Sequence, residues 1–438
     1  MLVFTLRAEQ QNIKHHHRLS REGSDRGTAY NMSRRIIRRD DALIVGWLDA
    51  PRDKGLPSRV MIGVCDPETG RLRHSFQIGE AKDNHCGPAL VMDNNGRIHA
   101  IVGGHHTPFL YRWSDQPEHS ESWSAPDTLA GKSTYPALTI DKEGILYLAY
   151  REQDAIEIEG EKRWQLWLRR KKPDHTWQEP VALATSPVPG YNHFMQSLTV
   201  GPEGSLHLVF QFHYSDTGRS ADGWGRAVSY MTSKDGGNTW LQNGHLVETP
   251  LTIETLQPVC RVEKGEQGRG LSKSNHVVDA DGQPWFFCSL PGHKSGVMFH
   301  HEPDGWHRID LADALNGLLI GHGGSTSLSR DDQGNLWFSF FADPSGGPWG
   351  WGHPRMELFV AVFNKKGNRL ALVNVTDHDP NAANWLPALE AWDWIRPSLR
   401  FGDGLWLMYT RGTNAGGIGG DNRNALRTEI FLAKPDMP

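Results

Sequence analysis

Ala137-Leu-Thr-Ile-Asp-Lys-Glu-Gly-Ile-Leu-Tyr-Leu-Ala-Tyr150 reads as a short apolar strand, a turn ending in Gly144, and a second strand of alternating apolar and aromatic residues. An Asp/Gly turn between two such runs is a hairpin signal, because glycine takes the left-handed conformation and period-2 alternation buries one face. The same register recurs in the stretches 89–102 and 197–210, with Gly96 and Gly204 at the matching turn position. Further copies run over 276–287, 327–340 and 398–409, with turn glycines Gly282, Gly334 and Gly404, and a degenerate copy spans 38–47. Seven copies in 438 residues average about 63 residues each, longer than the about 40–50 of common propeller repeats. Outside the stretch 309–319, which suits one or two helical turns, no 3.6-residue period is sustained.

Open arrays of such hairpin units would expose strand edges, and closing them around an axis removes the edges. The pattern therefore predicts an all-β protein, a seven-bladed β-propeller of four-stranded antiparallel blades. It is expected to form a single domain over 1–438, with residues 1–30 partly an N-terminal arm. The C-terminal strand at 428–433 is expected to join the N-terminal residues in one sheet and lock the ring. Ser233-Lys-Asp-Gly-Gly-Asn-Thr-Trp240 fits the Asp-box pattern, whose Asp caps its turn and whose Trp packs between strands. The role of Asp235 there is structural.

Lys and Arg number 46 against 51 Asp and Glu, a net charge of −5, which excludes a polybasic nucleic-acid binder. No apolar run approaches the roughly 18 residues of a membrane span, and the start of the chain has no secretory pattern. As written the chain reads as cytoplasmic, or as secreted or periplasmic if a leader has been removed, and as a monomer. Four cysteines cannot staple a chain of this size. Cys260, His276, Cys288 and His293 form a candidate set for a structural zinc, although their spacing fits no zinc signature; calcium is the other candidate for a structural ion. The 22 His and 17 Trp suit proton transfer and sugar stacking.

Two neighbouring hairpins carry polar residues at strand ends: Asn84-His85 and Gly104-His105-His106 on one, Thr134-Tyr135-Pro136 and Tyr150-Arg151 on the next. The residue before the first strand of a hairpin and the residue after its second strand lie at the same end of the blade. His85, His105, Tyr135 and Arg151 are therefore expected on one face, as an acid–base set beside a guanidinium that can clamp a carboxylate.

These motifs resemble the active-site segments of seven-bladed propeller polysaccharide lyases typified by ulvan lyases, with related BNR-type proteins, most strongly over residues 84–177. The resemblance implies that His85 and Tyr135 are the acid–base residues, that Arg151 neutralises the substrate carboxylate, and that His105 supports proton transfer. Asn84, His106, Trp164 and His193 would contact substrate. The implied reaction is β-elimination at a 4-linked glucuronate or iduronate of an acidic poly- or oligosaccharide, with no cofactor required. The alternatives are an α-L-rhamnosidase acting on rhamnosyl-glucuronate, weakened by the absence of His from 30–37; a sialidase, whose arginine motif Trp394-Ile-Arg-Pro397 matches loosely; and a non-catalytic propeller that binds sugar through Pro348-Trp-Gly-Trp-Gly-His353.

Overall fold

A computed structural model describes residues 15–437 except 54, 159–160, 187–189, 216, 218, 220–221, 264–269, 398, 403 and 415–425. The chain forms seven antiparallel blades in sequence order. Blade 1 runs Ile36–Arg38, Leu43–Asp49, Ser58–Cys65, Leu72–Ala81 from the axis outward. Blade 2 starts at Ala89–Met92, Ile98–Val102 and His105–Ser114. Its fourth strand is the first part of the long strand Asp127–Ile140, whose last part is the inner strand of blade 3 ahead of Leu146–Ile158, Glu161–Lys171 and Val181–Thr185. Blade 4 is built on Ser197–Val200, Leu206–Ser215 and Trp224–Ser233, blade 5 on Ser272–Val278 to Gly305–Asp310, and blade 6 on Ser327–Arg330 to Arg369–Asn374.

Blade 7 takes three strands from the C-terminal end, Ala383–Leu389, Leu407–Asn414 and Leu426–Lys434, and its outermost strand from the other end of the chain, His15–Ser20. The ladder pairs His17 with Leu432 and Arg18 with Phe431, so the sheet that completes the ring is made from both ends of the chain.

The repeated turn has one chemistry. Gly96, Gly144, Gly204, Gly282 and Gly334 all sit at φ between 76° and 85°, where a side chain would meet its own backbone. Asp93, Asp141, Asp279 and Asp331 open four of these turns, and the Oδ1 of each accepts the amide four residues on at 2.8–2.9 Å. The copy expected at 398–409 is different. Its inner strand is Ala383–Leu389, pairing Leu389 with Leu407, and Gly404, whose amide donates to Phe401 O at 3.3 Å, closes a turn inside the long excursion 390–406 and not between paired strands, at φ 143°. That excursion feeds Trp392 and Trp394 toward the axis, where they hold the Arg330 guanidinium at 4.4 and 4.6 Å from their ring centroids. The helical expectation at 309–319 reduces to one turn, Leu315 N to Leu311 O at 2.8 Å, because Ile309 belongs to the strand Gly305–Asp310.

Blade faces pack through apolar clusters, with Trp47, Trp240, Trp385 and Trp406 under 2% exposed. In the 233–240 turn Asp235 Oδ1 accepts the amides of Asn238 and Thr239 at 3.1 and 2.9 Å, and Trp240 closes against the core of blades 3 and 4. Replacing Trp240 by Ala is expected to cost about 3–5 kcal/mol, read as a fall in the denaturant midpoint. Trp349→Ala, at a position 41% exposed, should change stability by no more than about 0.5 kcal/mol.

Candidate active site

The hairpin turns gather at one end of the ring, so the segments entering the inner strands and leaving the second strands gather at the other. There they enclose a cavity of about 390 Å³, within the size range of small-ligand sites. Its wall takes His85 from the segment before blade 2, Tyr135 from the start of blade 3, Tyr191 and His193 from the segment before blade 4, and His213 from the end of that blade's second strand. His322 comes from the segment before blade 6, Trp351 from a blade 6 loop, and Arg26 and Tyr30 from the segment before blade 1. Among the described residues, no carboxylate lines it.

His85 and His105 stack with ring centroids 4.2 Å apart and planes at 9°. One carboxylate organises both: His105 Nδ1 lies 2.5 Å from Asp83 Oδ2, and His85 Nδ1 lies 3.4 Å from Asp83 Oδ1. Burial alone would raise the Asp83 pKa, but the hydrogen bonds from the two imidazoles outweigh it and hold the group well below the carboxylate range. His85 Nε2 faces Arg26 Nη1, which also reaches Tyr30 OH. A guanidinium has no lone pair to offer, so His85 Nε2 is the acceptor and the ring is neutral with its proton on Nδ1, toward Asp83. Burial, aided by the charges of Arg26 and His105 against the pull of Asp83, lowers the His85 pKa to about 4.

Tyr135 stands 6.3 and 6.0 Å from the His85 and His105 rings and 5.4 Å from Tyr30. It occupies a bulge: Thr134 pairs with Arg151 and Ala137 with Ala149, leaving two residues opposite Tyr150. Its φ is 59°, uncommon for an aromatic residue and the kind of backbone that bulges use to re-aim a side chain. Gln196 Nε2 donates to Tyr135 O, and Ser33 Oγ donates to Pro136 O at 2.5 Å, fixing the bulge from two neighbouring segments. Burial, reinforced by Tyr191 and Tyr30, pushes the Tyr135 phenol well above its ordinary pKa, so it holds its proton at neutral pH.

Arg151 requires a correction. It has no exposed surface and does not reach the cavity. Its guanidinium lies 4.0 Å from the Trp164 ring centroid, 5.0 Å from that of Tyr135 and 5.1 Å from that of Tyr191. Nε donates to Thr134 Oγ1 at 2.8 Å, while Nη1 donates to Tyr191 OH at 2.9 Å and to Asn192 O at 3.1 Å. Three aromatic faces and these acceptors surround the buried cation, whose Nη2 is left without a hydrogen-bond partner among the described residues, and it props Tyr135 and Tyr191 from behind.

Of the other expected contacts, His193 lines the cavity and stacks on His213 at 4.1 Å. Trp164 is buried over Arg151 with His106 against its edge at 5.1 Å, and Asn84 Nδ2 is spent on Asp25 Oδ1 at 2.9 Å, so none of these three lines the cavity. Cys260, His276, Cys288 and His293 do not form one ligand set: His276 Nδ1 bonds Ser197 Oγ at 2.8 Å and His293 Nδ1 bonds Asp310 Oδ2 at 2.5 Å. Among the described residues, Asp83, His85 and His105 bring ligand atoms within 4.8 Å of one another, as do Glu302, Asp304 and His307.

Sequence reasoning missed Asp83, Arg26, Tyr30, Tyr191, His213, His322 and Trp351. The strand-end rule, carried to the segments before blades 4 and 6, would have found Tyr191 and His322. Arg26 and Tyr30 precede the first repeat and carry no pattern.

The profile of BNR_4, the BNR repeat-containing family, matches residues 44–314. The chain belongs to that family. Among solved structures, a PL25 ulvan lyase bound to -[GlcA(1-4)Rha3S]- superposes with a TM-score of 0.66 at 15% identity, covering 95% of each chain. The polysaccharide lyase Uly1 superposes with a TM-score of 0.60 at 13% identity, covering 98% of this chain and 100% of that one. These likenesses establish the propeller fold. No curated protein matches the chain.

The buried imidazoles of this BNR-repeat protein set its acid stability. Burial lowers His85, His106 and His207 to about 4 and takes His193 and His276 well below their ordinary value. The unfolded chain, with histidines near about 6.5, binds more protons than the folded one between those limits, so stability falls as pH drops through that window. Asp49 and Glu357, raised by burial to about 6 and about 7, and Asp141 and Glu390, raised by the same cause, act in the opposite direction but are fewer. The melting temperature is expected to fall steadily from pH 7.5 to pH 5, measured by calorimetry; a rise on acidification would contradict this balance.

Proposed function

We propose that the protein is a polysaccharide lyase that cleaves a 4-linked uronic acid by β-elimination, on an ulvan-like or other rhamnosyl-glucuronate glycan. The observation that supports this best is a cavity lined by a guanidinium, neutral imidazoles and protonated phenols with no carboxylate among its described residues. A retaining or inverting glycosidase ordinarily places two carboxyl groups across the bond it cuts. This wall has the opposite character and suits an anionic sugar.

The C5 proton of a uronate is too weakly acidic to leave unless the charge building on the adjacent carboxylate is offset. Arg26, rather than the sealed Arg151, is the guanidinium placed to do this. His85, neutral and with Nε2 turned to the cavity, takes the C5 proton. The C–H electrons form the C4–C5 double bond, the C4–O4 bond breaks, and Tyr135, which keeps its proton at neutral pH, delivers it to O4. Asp83 stabilises the imidazolium that results, and His105 stacks behind it. Arg151 acts indirectly, by positioning Tyr135 and Tyr191.

The expected product from rhamnosyl-glucuronate oligosaccharides is an unsaturated uronyl end, followed by ultraviolet absorbance, with no oxygen taken from labelled water. Tyr135→Phe keeps the ring and removes the proton, so turnover is expected to drop by about 10²–10⁴-fold while binding survives. A saturated product carrying solvent oxygen would overturn the lyase reading in favour of a hydrolase.

A further inference from the structure

Arg26 occupies two roles that cannot be filled at once. Its Nη1 donates to His85 Nε2 and to Tyr30 OH, and these, rather than any carboxylate, are its hydrogen-bond partners among the described residues. Its guanidinium also lies 5.3 Å from the Trp351 ring centroid, on the side of the cavity facing blade 6. The lone pair on His85 Nε2 is the one a base would use, and Arg26 sits on it. The cation is thus hydrogen-bonded by a neutral nitrogen and a phenol, weaker acceptors than a carboxylate, while the Asp25 charge acts on it through space.

We infer that Arg26 is a latch on the base: a uronate carboxylate entering the cavity draws the guanidinium off His85 Nε2, and this exchange uncovers the lone pair that removes the C5 proton. The inference rests on the lyase reading above and adds a source of specificity to it. A neutral sugar, or a uronate whose carboxyl is esterified, fits the same space but offers Arg26 no stronger partner, so the base stays covered. Discrimination then arises in the chemical step as well as in binding. The groups facing His85 are Asp83 and His105 from the blade 2 side, Arg26 and Tyr30 from the N-terminal segment, and Tyr135 from blade 3. Of these, Arg26 is the one that covers Nε2.

The test compares wild type with Arg26→Met and Arg26→Lys, using a rhamnosyl-glucuronate oligosaccharide and its methyl ester. The His85 imidazole is followed by nuclear magnetic resonance, with and without the free-acid oligosaccharide. In the wild type, adding the oligosaccharide should move the His85 Nε2 resonance as the guanidinium leaves, and the ester should not. In Arg26→Met the His85 pKa should rise above about 4 by the part that the Arg26 charge contributes, burial holding it below the ordinary value, and the acid limb of kcat/KM should move with it. KM for the free acid should rise about 10–100-fold, and the preference for acid over ester should collapse. Arg26→Lys, which keeps the charge without the planar fork, should show an intermediate pKa and retain part of the preference; it also serves if the Met variant does not fold. An unmoved His85 pKa in a folded Arg26 variant, or an intact acid-over-ester preference, overturns the latch while leaving the lyase reading in place. If wild type instead forms no unsaturated product while its His85 resonance still responds to the free acid alone, the lyase reading fails and with it the latch as a device of elimination, leaving only a carboxylate-driven release of Arg26 from His85.

Discussion

The ladder between His15–Ser20 and Leu426–Lys434 is the contact on which the site depends. A propeller blade buries its faces only against two neighbours, so the ring is complete only when the first and last segments share a sheet. That pairing does more than close the barrel edge. It anchors the N-terminal segment on blade 7, where Thr28 Oγ1 bonds Leu386 O at 2.6 Å and Trp385 Nε1 bonds Asp25 O at 2.7 Å. From that anchorage Arg26 and Tyr30 are carried across the mouth of the ring to His85 of the blade 2 entry and Tyr135 of blade 3. Residues from the two ends of the ring meet in the cavity because the ring is shut.

Within the site, the charges are arranged by what each can give up. Asp83 is held ionised by two imidazoles, and its attachment to Nδ1 of each leaves the Nε2 atoms for other partners. Arg151 shows the other solution to a buried charge: aromatic faces and a few oxygens in place of an anion. Among the described residues, the cation on the wall is Arg26, hydrogen-bonded to the His85 imidazole and the Tyr30 phenol.

The rigid parts are those the turn chemistry repeats. An Asp that caps its own turn and a glycine at positive φ fix the far end of blades 2, 3, 5 and 6, and indoles such as Trp240 and Trp406 lock the spaces between blades. The mouth is built from segments without that regularity, among them the bulge at Tyr135 and the long blade 7 excursion. Such irregular backbone is where a scaffold aims side chains at a ligand.

The hairpin register at 89–102, 137–150 and 197–210 was enough to establish strands, turns and blade number, because period-2 alternation and the Asp/Gly turn are local physics that each copy states separately. The same strand-end logic brought His85, His105 and Tyr135 to one face. Blade 7 was misread because its insertion separates the paired strands, and a copy at 398–409 with a good turn glycine is locally as plausible as Ala383–Leu389 with none. Arg151 shows the same limit in the site. Being next to a strand end says which end of the blade a residue occupies, while its burial depends on Trp164, Tyr191 and Asn192, which come from other strands and another blade. Arg26 had no local sign at all, since its place beside His85, 59 residues away, follows from closing the ring, and closure is a relation between the two ends of the chain that no single segment encodes.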